Sequence, residues 1–292
     1  MTRKIAAVDI GGTNTRFALF EGEKIVLSER FSTDPQDWKK TLDEIVELCN
    51  LHKVEALGLC FPGPADYKVG NIIVTPNLPG WSNLNIKEYI LKNSKTVKKI
   101  ECENDANVMG LANHYYFGKG KEDVTQFFTI STGLGAGLVI DNKVFVGAHG
   151  LAQEIARAPL GSVYDAQTYH LQPFSAELYA SGAGLVLRAK TKGLELETKE
   201  IFEKYSTNEI CRTVIDEGID TLARTISASM AFLNPNLFVF GGSVARKNPW
   251  FVEQAIQKAK IYTTREHFEN VEFKFEELGD NSALFGLYYL VK

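Results

Sequence analysis

Three apolar runs, Lys4 to Ile10, Thr15 to Phe20 and Lys24 to Ser32, open the chain and are separated by Gly11-Gly12 and Glu21-Gly22-Glu23. Short strands broken by such residues predict a β-meander. From Pro35 to Leu51 the period changes: Trp38, Leu42, Ile45, Val46 and Leu48 fall at helical spacing, and the run Val54 to Phe61 then reads as a strand. The alternation continues with a strand at Val97 to Cys102 and a helix at Ala106 to Tyr116. Mixed in this way, the elements predict an α/β fold.

Phe117 to Asp123 is polar and glycine-containing, a hinge before a new apolar strand from Val124 to Ile130. That strand passes through Ser131-Thr132-Gly133-Leu134-Gly135-Ala136-Gly137 into Leu138 to Ile140 and a turn at Asp141-Asn142-Lys143. The plan of strand, glycine turn and strand is that of residues 4 to 20, a weak internal repeat of pattern. Two lobes are expected: a smaller one of residues 1–117 joined by about 281–292, and a larger one of 118–280. Later elements are helices at about 208–232, 250–262 and 282–290, and strands at 237–240 and 271–275.

Composition narrows the function classes. At 292 residues and 45% hydrophobic, the chain can bury a core in each of two lobes. A net charge of -4 supplies no basic field for nucleic acid, so small ligands are the expected partners. Cys49, Cys60, Cys102 and Cys211 have no paired spacing, which fits a reducing compartment and neither a disulfide framework nor a zinc knuckle. His149, His170 and His267 share no ligand spacing either. No apolar run reaches the roughly 18 to 20 residues of a membrane span, and the opening residues leave no signal-peptide core. A cytoplasmic protein without membrane or nucleic-acid partners is the expectation.

Three glycine turns follow apolar strands. In Asp9-Ile10-Gly11-Gly12-Thr13-Asn14-Thr15, backbone N–H groups and neutral donors can approach phosphate oxygens, and Asp9 can hold Mg²⁺ through water; an ordinary hairpin turn is the alternative. Ser131 to Gly137 has the glycines of a dinucleotide fingerprint, but such a loop opens a helix, and here a second strand follows. A β-hairpin phosphate clamp or a structural turn remain. The third turn, Gly241-Gly242-Ser243, ends the strand Phe238 to Phe240. Three such turns together favour a nucleotide, because each glycine costs conformational entropy on folding.

Candidate carboxylates lie between and after these loops. In Glu101-Cys102-Glu103-Asn104-Asp105-Ala106-Asn107 a strand gives way to a helix, where Asp105 can take a proton from a hydroxyl attacking phosphorus, or where Asn104 or Asp105 simply caps the helix. Glu154 and Glu177 sit near expected helix starts and can accept sugar hydroxyls, or be exposed helix charges. The loop Thr75-Pro76-Asn77-Leu78-Pro79-Gly80-Trp81 offers an amide and an aromatic for a sugar face, or is a packed turn.

Taken in order, DIGGTNTRFAL, PNLPGW, ENDAN, STGLGAGLV, HGLAQE, ELYASG and LNPNLFVFGGSVA resemble the ROK sugar kinase family from Ile5 to about Leu287. The resemblance implies an actin-like, ribonuclease-H-like fold of two lobes around a central cleft, and an ATP-dependent kinase of a hexose such as glucose. It makes Asp105 the catalytic base. Asn104, Glu154 and Glu177 become sugar ligands, with Gly63 and Asn77 in loops approaching the sugar. Asp9, Gly11, Gly12, Thr13, Asn14, Thr132, Gly133, Gly241 and Gly242 fall to the nucleotide and its Mg²⁺. Homodimers are common in the family.

Two departures stand out. Where many members have Glu-x-Gly-His, this chain has Glu154-Ile155-Ala156-Arg157, and the interval from Pro159 to Glu177 holds no cysteine. A member without the family's structural zinc is implied, with Arg157 standing where sugar identity is sensed. An N-acetylhexosamine or fructose is therefore an alternative substrate, and a non-catalytic sugar-binding regulator an alternative of another class. Family repressors carry a helix-turn-helix ahead of the first glycine loop, and eight residues precede Asp9 here.

Overall fold

The computed structural model describes residues 3–75, 77–161 and 171–292. The predicted meander forms from β1 (Ile5–Ile10), β2 (Asn14–Glu21) and β3 (Lys24–Ser32), antiparallel throughout. α1 (Trp38–His52) follows: Asp37 accepts the N–H groups of Lys39 and Lys40 at its start, and Leu42, Ile45, Val46 and Cys49 form its buried stripe. β4 (Ala56–Cys60) lies parallel to β1 with every residue buried, as an unbroken apolar run in a covered parallel strand requires. A small antiparallel sheet of β5 (Ala65–Asp66), β6 (Asn71–Ile72) and β7 (Leu84–Asn85) leads into α2 (Ile86–Asn93). β8 (Lys99–Glu103) and α3 (Asp105–Tyr116) complete this part, and its main sheet has the order β3-β2-β1-β4-β8.

The second half repeats the plan. β9 (Thr125–Ile130), β10 (Leu134–Ile140) and β11 (Lys143–Val144) make another antiparallel meander. α4 (Ala176–Ala180), α5 (Gly182–Thr191), α6 (Thr198–Glu203) and the long α7 (Glu209–Leu233) come next. Then follow β12 (Leu237–Gly241), α8 (Ser243–Lys247), α9 (Pro249–Tyr262), α10 (Arg265–Glu269) and β13 (Glu272–Phe275). β12 runs parallel to both β9 and β13, giving the order β11-β10-β9-β12-β13. The internal repeat is thus one of topology: three antiparallel strands, then two parallel ones, in the same spatial order.

The chain divides into two compact units, one of residues up to Gly118 with Val146–Gly150 and Leu278–Lys292, the other of Lys119–Phe145 with Leu151–Glu277. α11 (Ser282–Val291) closes the first unit. There β1 splits its side chains by period two: Ala6, Val8 and Ile10 join the core that includes Leu42, Ile45 and Trp81, whereas Ile5 and Ala7 join Leu284, Leu287 and Tyr288 of α11. α11 comes so close that a Cβ on Gly58 would stand 2.3 Å from the Leu287 carbonyl oxygen, and one on Gly286 would stand 1.8 Å from that of Val108. No helix among the described residues is long and apolar enough to cross a membrane.

Packing decides between the two readings of the Thr75–Trp81 loop. Trp81 is fully buried, and its indole N–H donates to the Asp34 carbonyl at 2.8 Å, so its ring belongs to the core and offers no exposed face to a sugar. Burying a side chain of this size contributes roughly 3 kcal/mol.

Candidate active site

In the first unit the β1–β2 turn, the end of β4 and the start of α3 converge on Asp9. Gly11 donates to the Asn14 carbonyl at 2.9 Å, closing the glycine turn, and Thr13 beyond it is exposed. Asp9 pairs in register with Arg16 on β2 and Cys60 on β4. Both neighbours use that placement: the Arg16 guanidinium donates to Oδ2 at 3.0 Å, and the Cys60 thiol donates to Oδ1 at 3.2 Å. Burial, then the charges of Asp9 and Asp105, push the Cys60 thiol well above its usual range, so it stays a neutral donor.

Asn104 and Asp105 divide two roles that the sequence left undecided. Asn104 is the N-cap of α3, its amide oxygen accepting the N–H groups of Ala106 and Asn107. Asp105, the first helical residue, is exposed to solvent and accepts the Ala106 N–H at 2.8 Å. Enough protein surrounds its carboxyl that desolvation is the largest influence and raises its pKa. The Ala106 hydrogen bond opposes that shift, and the charge of Asp9 adds to it. Behind the pair, Glu103 is buried and accepts from the Asn104 N–H and the Asn107 amide, and desolvation raises its pKa as well.

Asn77 lies beside the glycine turn, its Cβ 3.0 Å from where a Cβ on Gly12 would stand. Gly63 faces Tyr67, whose hydroxyl would be 3.0 Å from a Cβ there. Nine of the predicted residues, Asp9, Gly11, Gly12, Thr13, Asn14, Gly63, Asn77, Asn104 and Asp105, lie in this unit, where Gly11 bonds Asn14, Gly12 abuts Asn77 and the charge of Asp9 reaches Asp105. Pattern alone missed Arg16, Cys60 and Tyr67.

The second unit gathers the other predicted residues. The β9–β10 turn at Ser131–Gly133 is a hairpin, as the absence of a following helix implied, and Ser131 donates to the Gly133 carbonyl at 2.9 Å. Glu177, in the first turn of α4, accepts the Leu134 N–H at 3.3 Å and so sits against Thr132-Gly133. At the start of α5, Gly182 and Ala183 donate to the Ser131 and Thr132 carbonyls. The third glycine turn is here too: the Ser131 and Ser243 hydroxyls are 3.0 Å apart, and Gly242 has a φ of +89° with the Ile130 carbonyl 2.4 Å from a Cβ position. Glycine is required at that point. Ser131 and Ser243 lie within turns quoted from the sequence and Gly182 ends the ELYASG stretch, but none of the three was given a role there.

Glu154 and Arg157 stand apart from this cluster in kind. The stretch expected to start a helix is a single 3-10 turn, Ile155–Arg157, where Arg157 reaches Glu154 at 3.8 Å and both side chains are well exposed. Among the described residues no group of His, Cys, Asp and Glu is arranged to hold a metal ion. His170 lies outside the described residues.

Two units with one strand order, each bearing a glycine hairpin, define a duplicated α/β chain. The ROK family's sequence model matches residues 5–292, and the chain belongs to that family. A glucokinase of Thermotoga maritima is 23% identical over 311 residues, covering 99% of this chain and 97% of the relative. An N-acetyl-D-glucosamine kinase of Haemophilus influenzae is 26% identical over 275 residues, covering 86% and 87%. Among solved structures, a ROK hexokinase from Thermus thermophilus superposes with a TM-score of 0.84 at 23% identity, covering 99% and 97%, so the fold is the expected actin-like, ribonuclease-H-like one.

Proposed function

We propose that the protein is an ATP-dependent hexose kinase, with the 6-hydroxyl of glucose as first choice of acceptor and Asp105 as general base. Asp105 takes the hydroxyl proton while the acceptor oxygen bonds to the γ-phosphorus and the bond to the β-phosphate oxygen breaks, releasing ADP. The observation carrying this reading is the Asp105 carboxyl at the α3 start, open to solvent, raised in pKa and close enough to Asp9 to feel its charge. Gly63, Asn77 and Asn104 in the first unit, with Glu154, Arg157 and Glu177 in the second, are assigned to the sugar. The turns at Gly11–Asn14, Thr132-Gly133 and Gly241-Gly242 are assigned to the nucleotide, their backbones left bare by residues without Cβ.

Carboxylate oxygens are the donors a hard cation takes, and Asp9 is a carboxylate held in place by Arg16 and Cys60. Asp9 would hold Mg²⁺ through water, and the ion, when bound, neutralises phosphate charge. A cytoplasmic setting, where ATP and reduced thiols coexist, agrees with four free buried cysteines.

Arg157, paired with Glu154, favours a second reading of the acceptor as an N-acetylhexosamine or fructose, and the Haemophilus influenzae relative is named for one such sugar. Release of ADP, measured with a coupled assay over glucose, N-acetylglucosamine, N-acetylmannosamine and fructose, separates these. If no sugar raises turnover above the sugar-free background, the kinase assignment fails and a sugar-binding regulator takes its place.

A further inference from the structure

Gln126, the second residue of β9, is fully buried and belongs to none of the glycine turns or carboxylates above. Its Nε2 donates to the Gly137 carbonyl on the neighbouring β10 at 3.0 Å and to Gln153 Oε1 at 2.8 Å. A backbone carbonyl can only accept, so the contact with Gly137 fixes which end of the Gln126 amide is nitrogen, and Gln153 must present its oxygen. The buried Gln126 Oε1 has no hydrogen-bond partner among the described residues. A leucine would leave no such orphan, so stability is a poor reason for an amide here and the contacts of its nitrogen are the better one.

Gln153 has a φ of +68°, a left-handed conformation that glycine takes freely and that costs a residue with a Cβ. Glu154 follows directly and starts the 3-10 turn. Beyond that turn, Ala176 at the start of α4 donates to the Ala158 carbonyl at 2.9 Å. The stretch 153–158 is thus tied to β9 at one end and to α4 at the other, with the exposed Glu154 between.

We infer that Gln126 and Gln153 are positioning residues, an amide latch that holds the left-handed turn at Gln153 and so aims the Glu154 carboxylate at sugar hydroxyls. This rests on the kinase reading, which gives Glu154 to the sugar. A carboxylate set in place beforehand loses little freedom on binding, and releasing the latch loosens sugar recognition without touching the phosphoryl donor.

Gln153→Ala removes the acceptor of the latch and keeps the strained backbone, and Gln126→Leu removes the donor. With the hexose that the wild type turns over best, each is expected to raise the sugar KM about three- to tenfold, while kcat and the ATP KM change less than about twofold. Gln153→Gly takes the left-handed turn unaided and is expected to recover most of that loss; in its background Gln126→Leu adds less than about twofold. In a Glu154→Ala background Gln153→Ala is expected to have no further effect on sugar KM, because the group it positions is gone. Should Gln153→Ala not fold, Gln126→Leu in the wild-type and Gln153→Gly backgrounds makes the same test. An unchanged sugar KM in Gln153→Ala overturns the inference, as does a Gln153→Gly KM as high as that of Gln153→Ala, or a full-sized effect in the Glu154→Ala background. If the wild type turns over no sugar at all, the kinase reading falls and takes the latch with it. An active wild type with a silent Gln153→Ala removes only the latch.

Discussion

Glu177 accepts the Leu134 N–H through Oε1, and the same oxygen stands 2.6 Å from where a side chain at position 133 would begin. Gly133 is therefore the residue that lets a carboxylate from α4 rest on the β9–β10 hairpin. A methyl group there meets the far end of a flexible side chain, so Glu177 must yield while the backbone need not. Gly133→Ala is expected to leave the melting temperature within about 2 °C and, if Glu177 holds the sugar as proposed, to lower kcat/KM by about tenfold or more. Thermal melting alongside steady-state kinetics checks this. A drop in stability with retained kcat/KM would assign the glycine to the fold alone.

Asp105 sets activity against stability. As the proposed base it must be ionised, so kcat/KM is expected to fall as pH drops through its pKa, and desolvation with the Asp9 charge places that acid limb above the ordinary value of 3.8. The linkage has the opposite sign for folding. A carboxyl whose folded pKa is raised costs stability once pH climbs through the raised value, and costs nothing below 3.8. Asp105→Asn keeps an oxygen for the Ala106 N–H. It is expected to lower kcat by about 10² to 10⁴ while raising the melting temperature at pH 7, the gain vanishing in acid. Unchanged turnover would remove Asp105 from the role of base.

What the sequence conveyed and what it withheld follow from one distinction. Strands such as β4 and β12 announce themselves because full burial makes them unbroken apolar runs, and α1 and α7 because their buried stripes keep helical spacing. β5, β6 and β7 have two residues each, too short to show any period, and α2 went unread with them. The site divides the same way. Asp9 and Asp105 are visible as acids at element boundaries, but Arg16 and Cys60 become partners of Asp9 only through strand register, which places them opposite it on two neighbouring strands. Trp81 stayed open in the sequence because an aromatic beside an exposed asparagine suits either a sugar or a core, and only packing decides.

Gly286 tests how tightly the last helix is seated. A Cβ there would fall 1.8 Å from the Val108 carbonyl oxygen and 2.4 Å from its carbon, which are backbone atoms of α3 that cannot swing aside. Helix propensity alone would favour alanine over glycine by roughly 1 kcal/mol. The clash outweighs it, and Gly286→Ala is expected to destabilise the protein by about 3 kcal/mol in urea titration. A neutral or stabilising result would show that α11 can move away from α3.

Arg157 offers the reverse case, a residue whose interest is chemical and whose structural worth is small. Its ion pair with Glu154 spans 3.8 Å between side chains that are 74% and 60% exposed, and exposed pairs of this kind contribute between nothing and about 1 kcal/mol. Arg157→Ala should therefore leave the melting temperature within about 1 °C. It also frees the Glu154 carboxylate, which the proposed function gives to sugar hydroxyls, from a competing cation. The expected result is a redistribution among acceptors: the ratio of kcat/KM for glucose to that for N-acetylglucosamine changes by at least about threefold, equivalent to roughly 0.7 kcal/mol. Because stability stays put, such a change reports recognition, and a constant ratio would mean that Arg157 takes no part in choosing the sugar.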